Sequence, residues 1–414
     1  MDALPLSVLT VYLILQAIDT LITLLNLGHL KAQGDRVPAG FEGRVGAAEL
    51  ARMRDYTRAR AKLDLVSTAV QVVIGVAFIF GPGLNLYNNW LAGYDLAPVV
   101  AGILFFLLLA WAETLLKIPF DLYHTFVIEA RFGFNTQTPR LWLVDLFKSQ
   151  LLAAGLLGVL LAGGFWLIGA APHYWWLFTW LFFCGFSILL LYISPYVIEP
   201  LFNKFSPLTD EALVGRITQV MGRAGIGVAR IFTMDASRRS RHGNAYFSGI
   251  GRVKRIVLFD TLLAAGDQDE IVAILAHEAG HWKKKHVLQR ILVMETVALV
   301  ALYAAFRLVQ GEGLAGVFGL ETPTMPAKLL LAGFLGSLVA ALLSPLSNYL
   351  SRRHEWQADA FAVRITEAPE ALARALVRLG CDNLANLHPH PWYAALHYSH
   401  PPLAQRVARL MGRA

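Results

Sequence analysis

Apolar runs of about 20 residues alternate with polar, charge-bearing segments along this chain, and each run is long enough to cross a bilayer as a helix. Seven stretches reach that length, approximately 6–27, 64–84, 97–118, 150–170, 175–196, 288–308 and 328–348. The linker between the fourth and fifth is no more than APHY. The pattern predicts a mainly α, seven-helix membrane protein with four parts. These are a five-helix membrane region over 1–197, a polar segment over 198–287, a transmembrane hairpin over 288–348 and a polar tail over 349–414.

Lys and Arg are distributed unevenly between the loops. The first loop carries eight, from Lys31 to Lys62, and the third carries Arg131, Arg140 and Lys148. The loop GPGLNLYNNWLAGYDLAP and the short fourth loop have none, and the sixth, QGEGLAGVFGLETPTMP, has none before Lys328. The segment 198–287 and the tail from Arg352 are basic again. Because basic loops stay cytosolic, the predicted topology has the N-terminus outside. Both polar regions are then cytosolic, expected to pack together as one domain. MDALPLSVLT lacks Lys and Arg and runs straight into a spanning stretch, so it reads as a retained first helix rather than a cleaved signal.

Composition agrees with a membrane protein. Of 414 residues, 56% are hydrophobic and only 16% charged, against about a quarter charged in soluble domains. The net charge of +7 fits basic loops against an anionic leaflet. No basic–aromatic array of a nucleic-acid module is present, so the expected partner is the lipid bilayer and not nucleic acid. Cys184 and Cys381 are too few for a disulfide framework. The absence of an evident repeat argues against a transporter.

The chemistry lies in DEIVAILAHEAGHWKKKH, whose Asp269 and Glu270 suit a helix start and whose apolar residues recur at helical spacing. His277 and His281 lie four apart on one face and can share a zinc ion, with Glu278 placed as general base. A catalytic zinc takes a third protein ligand and keeps one position open. Glu355, in SRRHEWQADAFA, is the candidate, since two spans separate it from His281 and return the chain to the same side. Asp359, one turn on, could hydrogen-bond a ligand histidine or donate a proton. The alternative for both acids is a solvated face or a salt bridge to Arg352 or Arg353. His354 points about 100° away from Glu355 around a helix, so it is not a ligand candidate. Asp19, Glu113 and Glu295, within apolar stretches, either line a polar interior or pair with another helix.

Several ordered blocks resemble the CAAX prenyl protease 1 family of integral-membrane zinc peptidases. They are FVIEARFGFNTQT, YVIEPLFNKFSPL, SRRSRHGNAYFSGIG, KRIVLFDTLL, HEAGHWKKKH, SRRHEWQADAFA, CDNLANLHPHPWY and HYSHPPLAQR. The resemblance implies seven helices around a large water-filled chamber, with a small α+β zincin-like catalytic domain on the cytosolic side. It implies one Zn2+ per chain, held by His277, His281 and Glu355, with Glu278 catalytic. It also implies supporting roles for Asp359, Asn244, His400 and Arg406, with Asn244 and His400 stabilising the oxyanion or holding substrate backbone. Without it, Asn244 reads as a turn residue and His400 as a cap beside Pro401. The implied substrate is a peptide or protein, prenylated in the family, and the sequence leaves the oligomeric state open. His354 stands where the family usually has an aromatic residue, and Lys284 and Lys285 replace a commoner Leu-Gly, changes that bear on substrate preference. The Ala/Arg-rich composition suggests a bacterial inner membrane, where quality-control proteolysis of membrane proteins is the alternative function. A transporter or scaffold with structural zinc would need a fourth protein ligand or no Glu278. An intramembrane protease would place HExxH mid-span rather than before a Lys-rich edge.

Overall fold

The computed structural model describes residues 3–248, 254–311 and 313–412. Its seven long apolar helices are α1 Ala3–Gln33, α2 Ala47–Ile79, α4 Pro98–Tyr123, α5 Pro139–Ala170, α6 Trp175–Ile193, α11 His286–Gln310 and α13 Met325–Thr366. Each expected span lies mainly in one of these, although 64–84 runs past the end of α2 and 175–196 past the end of α6. Packing follows a closed circuit, α1–α2–α4–α5–α6–α11–α13 and back to α1, which makes a ring of helices around an interior chamber. Their large apolar side chains stay exposed, as at Val73, Leu115 and Leu342, because lipid rather than protein is their partner.

One loop expected from sequence is a helix. Residues 83–92 form α3 Gly83–Ala92, with Leu84, Asn88 and Leu91 buried at helical spacing. Asn88 Nδ2 donates to Thr322 O at 2.8 Å and Asn88 Oδ1 accepts from Thr324 Oγ1 at 2.5 Å, which ties α3 to the start of α13. A short α12, Gly313–Val317, completes this end of the ring.

At the other end, α4 and α6 do not stop cleanly. Each passes into a π-helical turn, His124–Glu129 after α4 and Ser194–Ile198 after α6, the second leading into α7 Glu199–Phe202. Pro119 lies inside α4 and Pro195 begins the second turn. Proline removes a helical donor and crowds the preceding turn, a condition that favours widened turns.

Beyond them lies a mixed sheet ordered β1-β2-β4-β3, built from β1 Phe205–Pro207, β2 Val228–Met234, β3 Ala245–Ser248 and β4 Lys254–Phe259. β2 and β4 run parallel and the outer pairs antiparallel, so β3 is an edge strand. Residues 249–253, which join β3 to β4 and include the final GIG of the SRRSRHGNAYFSGIG block, lie outside the described residues. Against the sheet pack α8 Glu211–Arg223, α9 Asp260–Ala265 and α10 Gln268–Lys283; α14 Pro369–Asp382 packs on α10, α15 Pro391–His397 on α13, and α16 Leu403–Leu410 on α14. Their shared core takes Ile217 and Met221 from α8, Ile271 and Leu275 from α10, and Leu372 from α14. It also takes Phe41, Met53, Tyr56 and Phe134 from the membrane half of the chain.

Candidate metal centre

α10 is built to hold its polar residues still. Asp267 caps it by accepting from Asp269 N, and Ile271, Leu275, Ala276 and Ala279 are buried. Its end is set by Lys285, whose φ of 59° breaks the helix before α11. Against α10 lies the polar extension of α13, at a distance only glycine permits. A Cβ on Gly280 would meet Ala358 Cα at 2.9 Å and Phe361 Cβ at 3.2 Å.

This crossing brings His277, His281 and Glu355 together. His277 Nε2 and His281 Nε2 are 3.2 Å apart, and they stand 3.3 and 3.2 Å from Glu355 Oε2 and Oε1. A tetrahedral ion with bonds of about 2.0–2.1 Å has ligand–ligand edges of about 3.3 Å, so the nitrogen–nitrogen spacing matches one such edge, and each nitrogen has one Glu355 oxygen at a similar distance. Two further observations agree. Glu355 Oε2 is buried without a hydrogen bond. Two imidazole nitrogens also face each other and a carboxylate, an arrangement that a cation relieves.

The remaining nitrogens of both histidines are engaged. His277 Nδ1 lies 2.8 Å from Asp359 Oδ1, and Arg406 grips that carboxylate through Nη2 at 2.6 Å and Nε at 2.9 Å. Burial pushes the His277 imidazole down, but hydrogen bonds that it donates to the Asp359 and Glu355 carboxylates outweigh it and raise the pKa to about 9, so the pocket favours positive charge. His281 Nδ1 lies 3.1 Å from His286 Nδ1, whose Nε2 is 3.0 Å from Gln357 Oε1. If His281 offers Nε2 to a metal, its Nδ1–H donates to His286 and His286 Nε2–H donates to Gln357, a consistent tautomer chain. His354 stacks on His286 with centroids 4.0 Å apart. Sequence reasoning assigned His286 and Gln357 no role. The signal was the third histidine of HEAGHWKKKH, which the break at Lys285 folds back onto the helix end.

Glu278 follows His277 directly, and burial raises its carboxyl pKa against the pull of His277 and His281. His400 is exposed, with Nε2 3.4 Å from Glu355 Oε1 and Nδ1 2.9 Å from Ser399 Oγ. Asn244 is also exposed and immediately precedes β3, which packs on α10. Its Oδ1 accepts from Ala245 N at 2.8 Å, and among the described residues no hydrogen bond joins it to the histidine cluster. Arg352 donates to Ala394 O and Tyr398 O and does not pair with Glu355. The span acids each have partners: Asp19 lies 3.6 Å from His397 Nε2, Glu113 pairs with Lys117, and Glu295 accepts from Cys184 Sγ.

Residues 207–414 match peptidase family M48, and residues 26–204 match the family described as CAAX prenyl protease N-terminal, five membrane helices. The chain is an M48 peptidase. This M48 peptidase is 33% identical over 392 residues to the CAAX prenyl protease 1 homolog of Oryza sativa subsp. japonica, covering 90% of each chain. It is 33% identical over 412 residues to CAAX prenyl protease 1 of Saccharomyces cerevisiae, covering 92% of this chain and 90% of that one. The crystal structure of S. mikatae Ste24p superposes with a TM-score of 0.92 at 29% identity, over 99% of both chains. The fold is therefore that of a membrane metalloendopeptidase.

Proposed function

We propose that this M48 peptidase holds one zinc ion through His277 Nε2, His281 Nε2 and Glu355, and cleaves prenylated CAAX-type peptides. The observation that carries the metal reading is the convergence of His277 Nε2, His281 Nε2 and the Glu355 carboxylate, each nitrogen 3.2–3.3 Å from the other and from one carboxylate oxygen. The substrate reading rests on the names of relatives that align over nine-tenths of the chain.

Zinc bound there supplies Lewis acidity that polarises a carbonyl and acidifies water. Glu278, next to the ligand His277, takes the proton of the attacking water and passes it to the leaving amine. Asp359 holds His277 in the tautomer that frees Nε2, and Arg406 keeps Asp359 ionised and aimed. His400, exposed beside Glu355, and Asn244, ahead of the edge strand, serve the developing oxyanion or the substrate backbone. The outer edge of β3 suits an extended peptide joining by strand addition.

For orientation, we read the N-terminus as outside and the catalytic region as cytosolic, in a bacterial inner membrane. Arg52, Arg239 and Arg378, from loops and tail expected to be cytosolic, all lie at the catalytic end of the ring. The test is cleavage of a farnesylated CAAX peptide by purified, zinc-loaded protein, with Glu278→Ala and chelated controls. Cleavage lost in both controls supports the reading. A folded, zinc-bound wild type that leaves the peptide intact would redirect it to quality-control proteolysis of other membrane proteins.

A further inference from the structure

The two π-helical turns carry the same short pattern. Phe126-Val127-Ile128-Glu129-Ala130-Arg131-Phe132 and Tyr196-Val197-Ile198-Glu199-Pro200-Leu201-Phe202 both read aromatic-Val-Ile-Glu-x-x-Phe. Each turn ends a membrane helix, and each brings its glutamate to the stretch His242–Ser248. Glu129 is buried, accepts from Tyr56 Oη at 2.6 Å, and lies 3.1 Å from His242 Nε2 through its other oxygen. Glu199 accepts from Tyr246 Oη at 2.9 Å and from Ser248 Oγ at 3.4 Å.

Backbone contacts reinforce both attachments. After the first turn, Arg241 N donates to Phe134 O at 3.1 Å, Thr136 N donates to Arg239 O at 3.3 Å, and the Phe134 ring stacks on His242. In the second turn, Pro195 O accepts from Arg255 Nη1 at 2.7 Å, and the Arg255 guanidinium lies over Tyr196. Arg255 belongs to β4, which pairs with β3, so this turn grips both strands. The first grip, at His242, precedes Asn244, and the second, at Tyr246 and Ser248, lies within β3 and reaches its last residue. π-turns inside helices are frequent at functional sites, because the widened turn redirects a side chain.

We propose that Glu129 and Glu199 are positioning residues that clamp edge strand β3 from both ends to the membrane helices, fixing the register at which an extended substrate meets the metal centre. This rests on the reading of β3 as the strand that receives substrate. The mechanism is geometric. A substrate strand that pairs with β3 is held by main-chain hydrogen bonds to an ordered edge, so loosening β3 weakens binding of substrate and transition state alike. The clamp touches no reacting atom, so it acts on productive binding rather than on the proton transfers of Glu278.

The test uses the full-length protein in bilayer discs, with Glu129→Ala, Glu199→Ala and the milder Tyr246→Phe, beside Glu129→Gln and Glu199→Gln. Backbone hydrogen exchange of 245–248, zinc content, and KM and kcat for an extended peptide substrate are measured together. We expect normal zinc content, faster exchange in β3 and a KM raised about tenfold in the Ala variants, with kcat changed much less. Tyr246→Phe shows a smaller effect of the same kind. The Gln variants recover most of the loss, because a Gln carbonyl still accepts one hydroxyl hydrogen bond. Unchanged β3 exchange in Tyr246→Phe and both Ala variants overturns the clamp. Faster exchange with an unchanged KM overturns the positioning role. In that case, peptide protection of β3 in the wild type separates the causes, since absence of protection shows that the strand-addition reading failed first.

Discussion

Asp359 is shared between a histidine and an arginine. Its Oδ1 lies 2.8 Å from His277 Nδ1 and 2.6 Å from Arg406 Nη2, and its Oδ2 accepts from Arg406 Nε at 2.9 Å. All three side chains are nearly inaccessible, so the carboxylate charge is balanced only by these neighbours. Asp359→Asn keeps the shape and loses the charge that orients His277 and raises its basicity. Zinc affinity is expected to fall about 10–100-fold, read by competition with a chromophoric chelator. Unchanged affinity would mean that packing alone orients His277.

Glu278 is a proton carrier in the proposed reaction and not a ligand. Glu278→Gln is therefore expected to keep full zinc content while kcat falls about 10²–10⁴-fold, the usual worth of a general base. Metal analysis and peptide cleavage on the same sample check this. Substantial residual turnover would remove Glu278 from the mechanism.

Gly280 sits where α10 and α13 approach most closely, with Ala358 Cα 2.9 Å from the position of an added Cβ. The obstacle is backbone, so it cannot rotate away. Gly280→Ala is expected to destabilise the protein by about 1–3 kcal/mol as the helices part. Because His281 rides on one helix and Glu355 on the other, zinc affinity should fall with it. Thermal unfolding with and without excess zinc separates the two effects, and a variant with wild-type melting and affinity would sink the argument.

His242 carries the clearest pH dependence outside the membrane helices. Its hydrogen bond to Glu129 raises its pKa above 6.5, burial opposes this, and Asn383 Oδ1 at 2.7 Å from Nδ1 adds to the rise. Phe134 stacks on the ring, and Tyr56, His124 and Arg60 complete the charged and polar surroundings of the pair. A raised folded-state pKa stabilises fully below the unfolded value and loses that contribution as pH climbs through the folded one. The melting-temperature gap between wild type and His242→Gln should therefore be widest below pH 6.5 and shrink above it. A gap that stays constant with pH would show that His242 is not cationic in the fold.

Much of this architecture is legible in the sequence because membrane helices announce themselves by length and composition. Each of the seven apolar stretches lies mainly in a long helix, and the count explains how residues 74 positions apart, His281 and Glu355, can share one end of the ring. What escaped depends on local geometry that composition does not encode. The helix α3 carries Asn88 on its buried face, so it reads as a polar loop until Thr322 and Thr324 supply partners. The repeated Val-Ile-Glu pattern is too short to register as a repeat, and its meaning comes from two helices ending in the same widened turn. His286 meets His281 only because Lys285 adopts a left-handed backbone, which lysine does not signal. Asn244 is the reverse case, a residue singled out by resemblance whose side chain makes a purely local hydrogen bond.

The helix α13 runs unbroken for 42 residues, from the far rim of the ring to the metal centre. At 1.5 Å per residue that is about 63 Å, roughly twice the hydrocarbon thickness of a bilayer. It is one lever with its fulcrum in lipid and Glu355, the proposed third zinc ligand, on the arm beyond the bilayer. A thinner bilayer tilts a spanning helix at modest cost, and a tilt of α13 would swing Glu355 against histidines anchored on α10. Lipid chain length thereby becomes a variable of metal retention. Zinc loss timed in short-chain and long-chain discs would register it, and equal rates would mean that the bend allowed at Pro345 absorbs the motion before it reaches Glu355.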